Sequence, residues 1–371
     1  MFTWIGTATA CRAISTWVSS IVDHGFLIPV IADLEPGNPV PVEGPVGSLG
    51  WARFVVPAGA PVAQVTIRFS SGDPEPGLWY ITLVGTGGYN RVQLNVQFFA
   101  VGAEPPAIGQ GGVVLATQTP PVFGVSPNSI ISIYGEDFVP EGVVALQPEL
   151  DGEGKVATRL AETCVEIGGK RAPLFAVLAG QINAQVPEDA GPWFSSVVVI
   201  RGCGAGDERR SDKEPIFVFR HSPGFFNFVN NADGVNPLAA VHGGGPDFAG
   251  APGLFPGVVT TPARPGEYIS LFGTGFGPTE PPLAAGEIPA RRYPELQGQV
   301  PLADELRLLV GGVEVPSGDI SYAGAAPCCA GLYQFVFKIP TTAGTGNLPV
   351  VAVIGDDRTG DGPYITVAGE E

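Results

Sequence analysis

The chain is poor in the residues that carry most enzyme and nucleic-acid chemistry. It has one Met, three His and, among its 19 basic residues, only four Lys, at positions 155, 170, 213 and 338. Against 36 acidic residues these leave a net charge of −17. Such a chain repels a phosphate backbone, which argues against nucleic-acid binding. The three His, His24, His221 and His242, are scattered. No His-Glu-x-x-His and no Gly-x-Ser-x-Gly occurs, so neither the zinc-protease helix nor the nucleophile elbow of a hydrolase is encoded. No apolar run reaches the length of a membrane span. No long segment repeats at helical spacing without being cut by Gly or Pro. A catalytic reading is disfavoured, and no cofactor is implied.

What the chain does have is apolar content and turn residues. Hydrophobic residues make up 44%, enough for real cores, and the 53 Gly and 38 Pro are close to a quarter of the chain. Together these predict an all-β protein of many short strands and many turns. Part of the chain is duplicated. Ile131-Ser132-Ile133-Tyr134-Gly135-x-x-Phe138 matches Ile269-Ser270-Leu271-Phe272-Gly273-x-x-Phe276. Farther along, Gln181-Ile182-Asn183-Ala184-Gln185-Val186-Pro187 matches Gln334-Phe335-Val336-Phe337-Lys338-Ile339-Pro340. Gly168-Gly169 and Gly311-Gly312 fall between these segments in the same order, which marks a repeated domain. In 181–186 the polar and apolar residues alternate, so Ile182, Ala184 and Val186 share the inward face.

These signals divide the chain into five parts. Residues 1–104 read as a β-sandwich preceded by an apolar segment, with strands at 51–57, 62–70, 78–85 and 91–101. Residues 105–122, with Pro105-Pro106 and Pro120-Pro121, read as a linker. The first repeat covers 123–228, a Gly/Pro-rich connection 229–265, and the second repeat 266–371. The first 25 residues carry a single basic residue, Arg12, and no standard secretory signal. Ala8-Thr9-Ala10-Cys11 is only faintly similar to a lipoprotein cleavage site, because the apolar run before it is too short.

Ile-Ser-Ile-Tyr-Gly (131–135), Gly-Gly-Lys-Arg-Ala-Pro-Leu-Phe (168–175), Gln-Ile-Asn-Ala-Gln-Val-Pro (181–187), Ser-Pro-Gly-Phe-Phe (222–226), Phe-Gly-Thr-Gly-Phe-Gly-Pro (272–278) and Ala-Gly-Leu-Tyr-Gln (330–334) resemble the Solibacter-type C-terminal domain family of secreted acidobacterial proteins. The resemblance covers about residues 120–368. The Gly-x-x-Phe after the first strand also resembles the immunoglobulin-like TIG/IPT fold. The resemblance implies tandem immunoglobulin-like β-sandwich domains, a bacterial extracellular or cell-surface location, and no catalytic residues to carry over.

Of five Cys, Cys164 opens one strand and Cys203 closes another within the first repeat. Their repeat counterparts, Arg307 and Asp356, are an opposite-charge pair. Both pairings suit neighbouring positions, so a Cys164–Cys203 disulfide is expected, and with it an oxidising compartment. Three states stay open for Cys328-Cys329: a vicinal disulfide, an intermolecular bridge with Cys11, or free thiols. No zinc-site spacing accompanies them.

The remaining features are weaker. His242-Gly243-Gly244-Gly245 is similar to an oxyanion-hole loop, but lacks a nucleophile and reads as a flexible turn. The acidic turns at 151–153, at Asp233 and at Asp356-Asp357 do not follow a calcium-loop pattern, and no metal site is assigned. Trp51, Trp79 and Trp193 are candidates for stacking on sugar rings, although aromatics in sandwiches more often fill cores. Phe26, Leu27, Ile28, Val30 and Ile31 form an apolar segment set apart by Gly25 and Pro36-Gly37. This is a candidate donor strand for a neighbour's sheet, and equally the first strand of its own domain. The leading expectation is a non-enzymatic extracellular structural or adhesive protein that self-assembles into filaments or a surface layer. The alternative is a carbohydrate-binding protein with a polysaccharide partner.

Overall fold

Short runs of Val, Ile and Phe punctuated by Gly produce strands almost exclusively. The structure is a computed structural model. It describes strand backbone at 11–17, 39–43, 49–55, 66–69, 77–84 and 91–100. Side chains are described, with backbone, at 105–117, 124–140, 142–204, 208–231, 233–243, 245 and 247–369. Among these residues the helical segments are the single turn Pro289–Arg292 and the 3-10 turns Pro294–Leu296 and Ser317–Asp319. The chain is all-β and falls into two units. One comprises Met1–Glu104 with Pro140–Val143, and the other Pro105–Val139 with Val144–Glu371.

In the first unit the strands expected near 51–57, 62–70, 78–85 and 91–101 are present. Cys11–Trp17 pairs with Arg91–Ala100, and Pro39–Glu43 inserts between Gly77–Val84 and Leu49–Val55. The described strands therefore make one six-stranded antiparallel sheet, where two sheets of a sandwich were expected. Alternation identifies a strand and its faces but not the sheet it joins, which is decided by pairing with distant residues. The candidate donor strand Phe26–Ile31 lies outside the described residues, as do the side chains of Cys11, Trp51 and Trp79.

The second unit holds both repeats, and the strand order recurs. In the first copy, one sheet runs Leu174–Val177, Gln181–Gln185, Ile130–Glu136, Ala107–Leu115. The other runs Lys170–Arg171, Thr163–Ile167, Trp193–Arg201, with Arg209–Arg210 and Glu214–Val218 both on the last strand. In the second copy, Ile320–Ala325, Tyr333–Lys338 and Tyr268–Thr274 form the matching first sheet. Val313–Glu314, Leu306–Val310 and Gly346–Ile354 form the second, again with two short strands, Asp357–Arg358 and Tyr364–Val367, sharing the last one. Fully buried rows from both sheets make the second core. Ile269, Leu271, Phe335 and Phe337 meet Leu308, Val310, Val350 and Ala352, and each buried Phe contributes about 1.5–3 kcal/mol.

The repeated motifs have local causes. Gly168-Gly169 and Gly311-Gly312 all have positive φ, between 58° and 81°. This is the requirement of a two-residue hairpin turn. In Gly-x-x-Phe the glycine makes room for the ring. A Cβ on Gly135 would lie 2.6 Å from the Phe138 ring, and one on Gly273 would lie 2.7 Å from the Phe276 ring. Both rings are fully buried.

Two expectations about connections are corrected. The stretch 105–122 contains the strand Ala107–Leu115, which pairs with Ile130–Glu136 through Val113–Leu115. Within 229–265, the strands Ala240–His242, Phe248–Ala249 and Thr260–Thr261 extend the second copy's sheet, and Gly224–Phe225 joins the same sheet before the expected boundary at 228. Their Gly and Pro content mimics linkers, whereas long-range pairing makes them strands, with Ala107–Leu115 and Thr260–Thr261 at sheet edges.

Candidate functional site

Alternation along Trp193–Arg201 buries Val197 and Val199 and turns Phe194 outward. Across the ladder Phe194 faces Phe217. Val125 clips the far edge of this strand pair. Its N–H donates to the Phe217 carbonyl at 2.9 Å, and its carbonyl accepts from the Phe219 N–H at 2.8 Å. Four rings result in a continuous exposed row. Trp193 is edge-on to Phe219 at 6.4 Å, Phe219 lies parallel to Phe217 at 6.4 Å, and Phe217 meets Phe194 at 6.0 Å. Their exposures are 72% for Trp193, 67% for Phe194, 47% for Phe217 and 37% for Phe219. An apolar patch of this kind marks a binding surface.

The second copy shows that the fold does not require these rings. By strand register, Gly346, Asn347 and Thr366 occupy the positions of Trp193, Phe194 and Phe217. The Thr366 hydroxyl donates to Asn347 Oδ1 at 2.9 Å where the first copy has its Phe217–Phe194 contact. Gly346 has φ 95°, and Trp193 at the same place has φ 72°. The backbone there is left-handed in both copies. Glycine adopts this at no cost, whereas a Trp is strained by roughly 1–2 kcal/mol. Of the three Trp considered from sequence, Trp193 is the one with a described side chain, and it is exposed. Phe194, Phe217 and Phe219 were not identified from sequence, although their outward spacing in Trp193-Phe194 and Phe217-x-Phe219 was a readable signal.

The row runs into a groove of about 980 Å³ between the copies. Trp193, Phe219, Asn128, Glu188, Asp189 and Arg220 line it from the first copy, and Thr279, Pro282, Leu283, Glu287 and Arg292 from the second. Its floor is pinned by contacts between the copies. Asn128 Nδ2 donates to the Leu283 carbonyl at 2.9 Å, and buried Gln185 accepts the Gly286 N–H at 2.7 Å. Thr274 Oγ1 accepts the Ile130 N–H and donates to the Gly331 carbonyl, both at 2.8 Å. The charges along the groove are also held. Asp189 pairs with Lys170 at 2.7 Å and raises its pKa. Glu287 reaches Arg292 at 3.4 Å and Lys155 at 3.5 Å, raising the Lys155 pKa. Arg220 grips Asp304 with two hydrogen bonds of 2.9 Å.

The neighbouring His221 is buried between two carboxylates of the second copy, 2.9 Å from Asp304 and 3.2 Å from Asp357. Partial burial alone would raise the Asp304 carboxyl. Hydrogen bonds from His221 and Arg220 outweigh this and hold it below the ordinary carboxylate value. His242 is bound to Glu267 at 2.6 Å, and the Gly245 N–H returns to the His242 carbonyl. On the other side of the ring His242 Nε2 lies 2.9 Å from the Thr261 hydroxyl and 3.1 Å from the Thr261 carbonyl, so this is a hydrogen-bonded turn tied to a neighbouring strand. Asp151 Oδ1 accepts the N–H groups of Glu153 and Lys155 at 2.8 and 3.0 Å. Among the described residues no three His, Cys, Asp or Glu come together as a metal site.

Cys164 and Cys203 lie at disulfide distance, with Cα atoms 5.8 Å apart. With Val198 and Ile200 they form a small cluster on the outer face of their sheet. The anticipated Arg307–Asp356 pair is not formed. Arg307 pairs with Glu314 at 3.6 Å, because the Gly311-Gly312 hairpin brings Val313–Glu314 alongside Leu306–Val310, while Asp356 sits in the turn beyond Ile354. Cys328 and Cys329 are bonded to each other. Their turn leads to Gly331, where a Cβ would stand 2.8 Å from Ile130 of the first copy. No helix of the described residues is long and apolar enough to cross a membrane. Neither a protein-family model nor a curated protein matches the chain.

Proposed function

We propose that this chain is a non-enzymatic extracellular adhesion protein, built on tandem immunoglobulin-like domains, that holds a polysaccharide along the aromatic row and the adjoining groove. One observation carries the reading: a Trp occupies a left-handed position that the sister copy fills with Gly, and it heads a row of exposed rings that the sister copy lacks. Strain of this kind persists where a side chain is needed for function. Sugars are recognised by aromatic faces combined with hydrogen-bonding carboxylates, guanidiniums and amides, and the groove offers all of these. Disulfide-distance cysteines suit an oxidising compartment, in keeping with the resemblance to secreted acidobacterial domains.

The test transplants the sister copy's residues. Phe194→Asn combined with Phe217→Thr should abolish retention on polysaccharide gels while leaving the thermal midpoint unchanged. A double variant that still binds would place the site elsewhere. Self-assembly by strand donation rests on residues 26–31 and is a separate proposal. Negative-stain microscopy of the full chain should show filaments, and a chain lacking residues 1–34 should not. Filaments from both, or from neither, would end it.

A further inference from the structure

We infer that the ligand is a neutral polysaccharide, bound through an internal stretch of its chain and not through a charged group or a chain end. This rests on the carbohydrate reading above and deepens it.

Five charged side chains lie along the groove, and each is already engaged within the protein, four of them in ion pairs. The Glu188 carboxylate accepts the Ala285 N–H at 2.8 Å, and Asp189 holds Lys170 at 2.7 Å. The Glu287 carboxylate accepts the Ala284 N–H at 3.0 Å and lies 3.4 Å from Arg292, and Arg220 is committed to Asp304. An anionic sugar would meet guanidiniums whose charge Asp304 and Glu287 already neutralise, and would approach a chain of net charge −17. A cationic sugar would meet Asp189 and Glu287 with their counter-ions in place, and Glu188 with one carboxylate oxygen already accepting a backbone N–H. Removing a partner from a matched pair leaves an uncompensated charge, so a charged ligand gains little here.

A hydroxyl makes no such demand. It donates to a carboxylate lone pair left over from the internal bonds and accepts from a spare guanidinium N–H. Its carbon ring meanwhile packs on Trp193 or Phe219. Matched charges thus act as oriented polar groups for a hydroxyl-rich, uncharged ligand. The rings bear on length. Trp193 and Phe219 belong both to the groove and to the row, and the row continues outward through Phe217 to Phe194. A ligand confined to the groove would leave Phe194 and Phe217 in water, whereas a continuing chain covers them.

The experiment is affinity electrophoresis of the full chain in gels containing a neutral β-glucan, a neutral galactomannan, polygalacturonate or chitosan, at low and high salt. Wild type should be retarded by a neutral polymer, with affinity changing less than about twofold between the two salt conditions, because uncharged contacts are not screened. Trp193→Ala should weaken retardation at least tenfold. Short oligosaccharides of the same sugar should compete far less well than the polymer. Salt-sensitive binding to polygalacturonate or chitosan would overturn the neutral-ligand inference while leaving the carbohydrate reading standing. Equal competition by a disaccharide would overturn the internal-chain part. Neutral binding that survives Trp193→Ala would remove the groove as the site. No retardation by any polymer would sink the carbohydrate reading itself.

Discussion

Replacing Trp193 separates strain from binding. At an ordinary strand position, changing Ala to Gly destabilises by roughly 0.5–1 kcal/mol through unfolded-chain entropy. Position 193 has φ 72°, where any side chain costs roughly 1–2 kcal/mol that glycine avoids. The Trp193 ring is 72% exposed, with an edge contact to Phe219, so losing it costs only about 0.5–1 kcal/mol. Trp193→Gly therefore combines relief of strain with an entropic cost and a lost contact of similar total size, and its stability should match wild type. Trp193→Ala keeps the strain and loses the contact, and should be destabilised by about 0.5–1 kcal/mol. The Gly variant should thus be the more stable of the two, reversing the ordinary order. Urea midpoints compared at constant slope give the difference directly, and in a unit of this size 1 kcal/mol corresponds to about 2–4 °C in the melting midpoint. An Ala variant as stable as the Gly variant would refute the left-handed backbone, and with it the argument that Trp193 is retained for binding. Both variants should lose polysaccharide affinity.

Replacing Cys164 and Cys203 together by Ser should cost about 4 kcal/mol for the 39-residue separation. An unchanged urea midpoint in the double variant would show that the bond contributes nothing. Gln185→Leu leaves the Gly286 N–H without its acceptor in a buried setting, and should cost roughly 1–3 kcal/mol. Accelerated proteolysis between the copies would check it, and resistance equal to wild type would contradict the pinning role. Asp304 has a carboxyl held below its ordinary value. Its contribution is therefore present above the unfolded carboxylate pKa and is lost as pH falls through the lower folded value. Asp304→Asn should flatten that acid limb of the stability profile, and a parallel limb in the variant would assign the acid sensitivity elsewhere.

Much of the core was legible because its causes are local. Ile182 and Ala184 in one copy, and Phe335 and Phe337 in the other, follow from alternation alone, and the Gly-Gly pairs announce hairpins that only positive φ can close. The glycines of Ala107–Leu115 and its flanking prolines carry turn chemistry, so in sequence the segment resembles a linker. Its strand character comes from Ile130–Glu136, which lies beyond an intervening loop. Arg307 and Asp356 matched in charge and repeat position, yet the hairpin geometry gave Arg307 a nearer acid.

The sequence by itself determined the all-β character, the duplication and the inward rows, because strand periodicity, turn glycines and repeat spacing act over a few residues. Only the tertiary structure decided which exposed rings form one row and that Gln185, from a strand's polar side, seats a loop of the other copy. It also decided that acids and bases far apart in the chain meet as matched pairs along a groove. Those features depend on how two similar sandwiches dock, and docking is set by contacts between residues about a hundred positions apart, which no local pattern records.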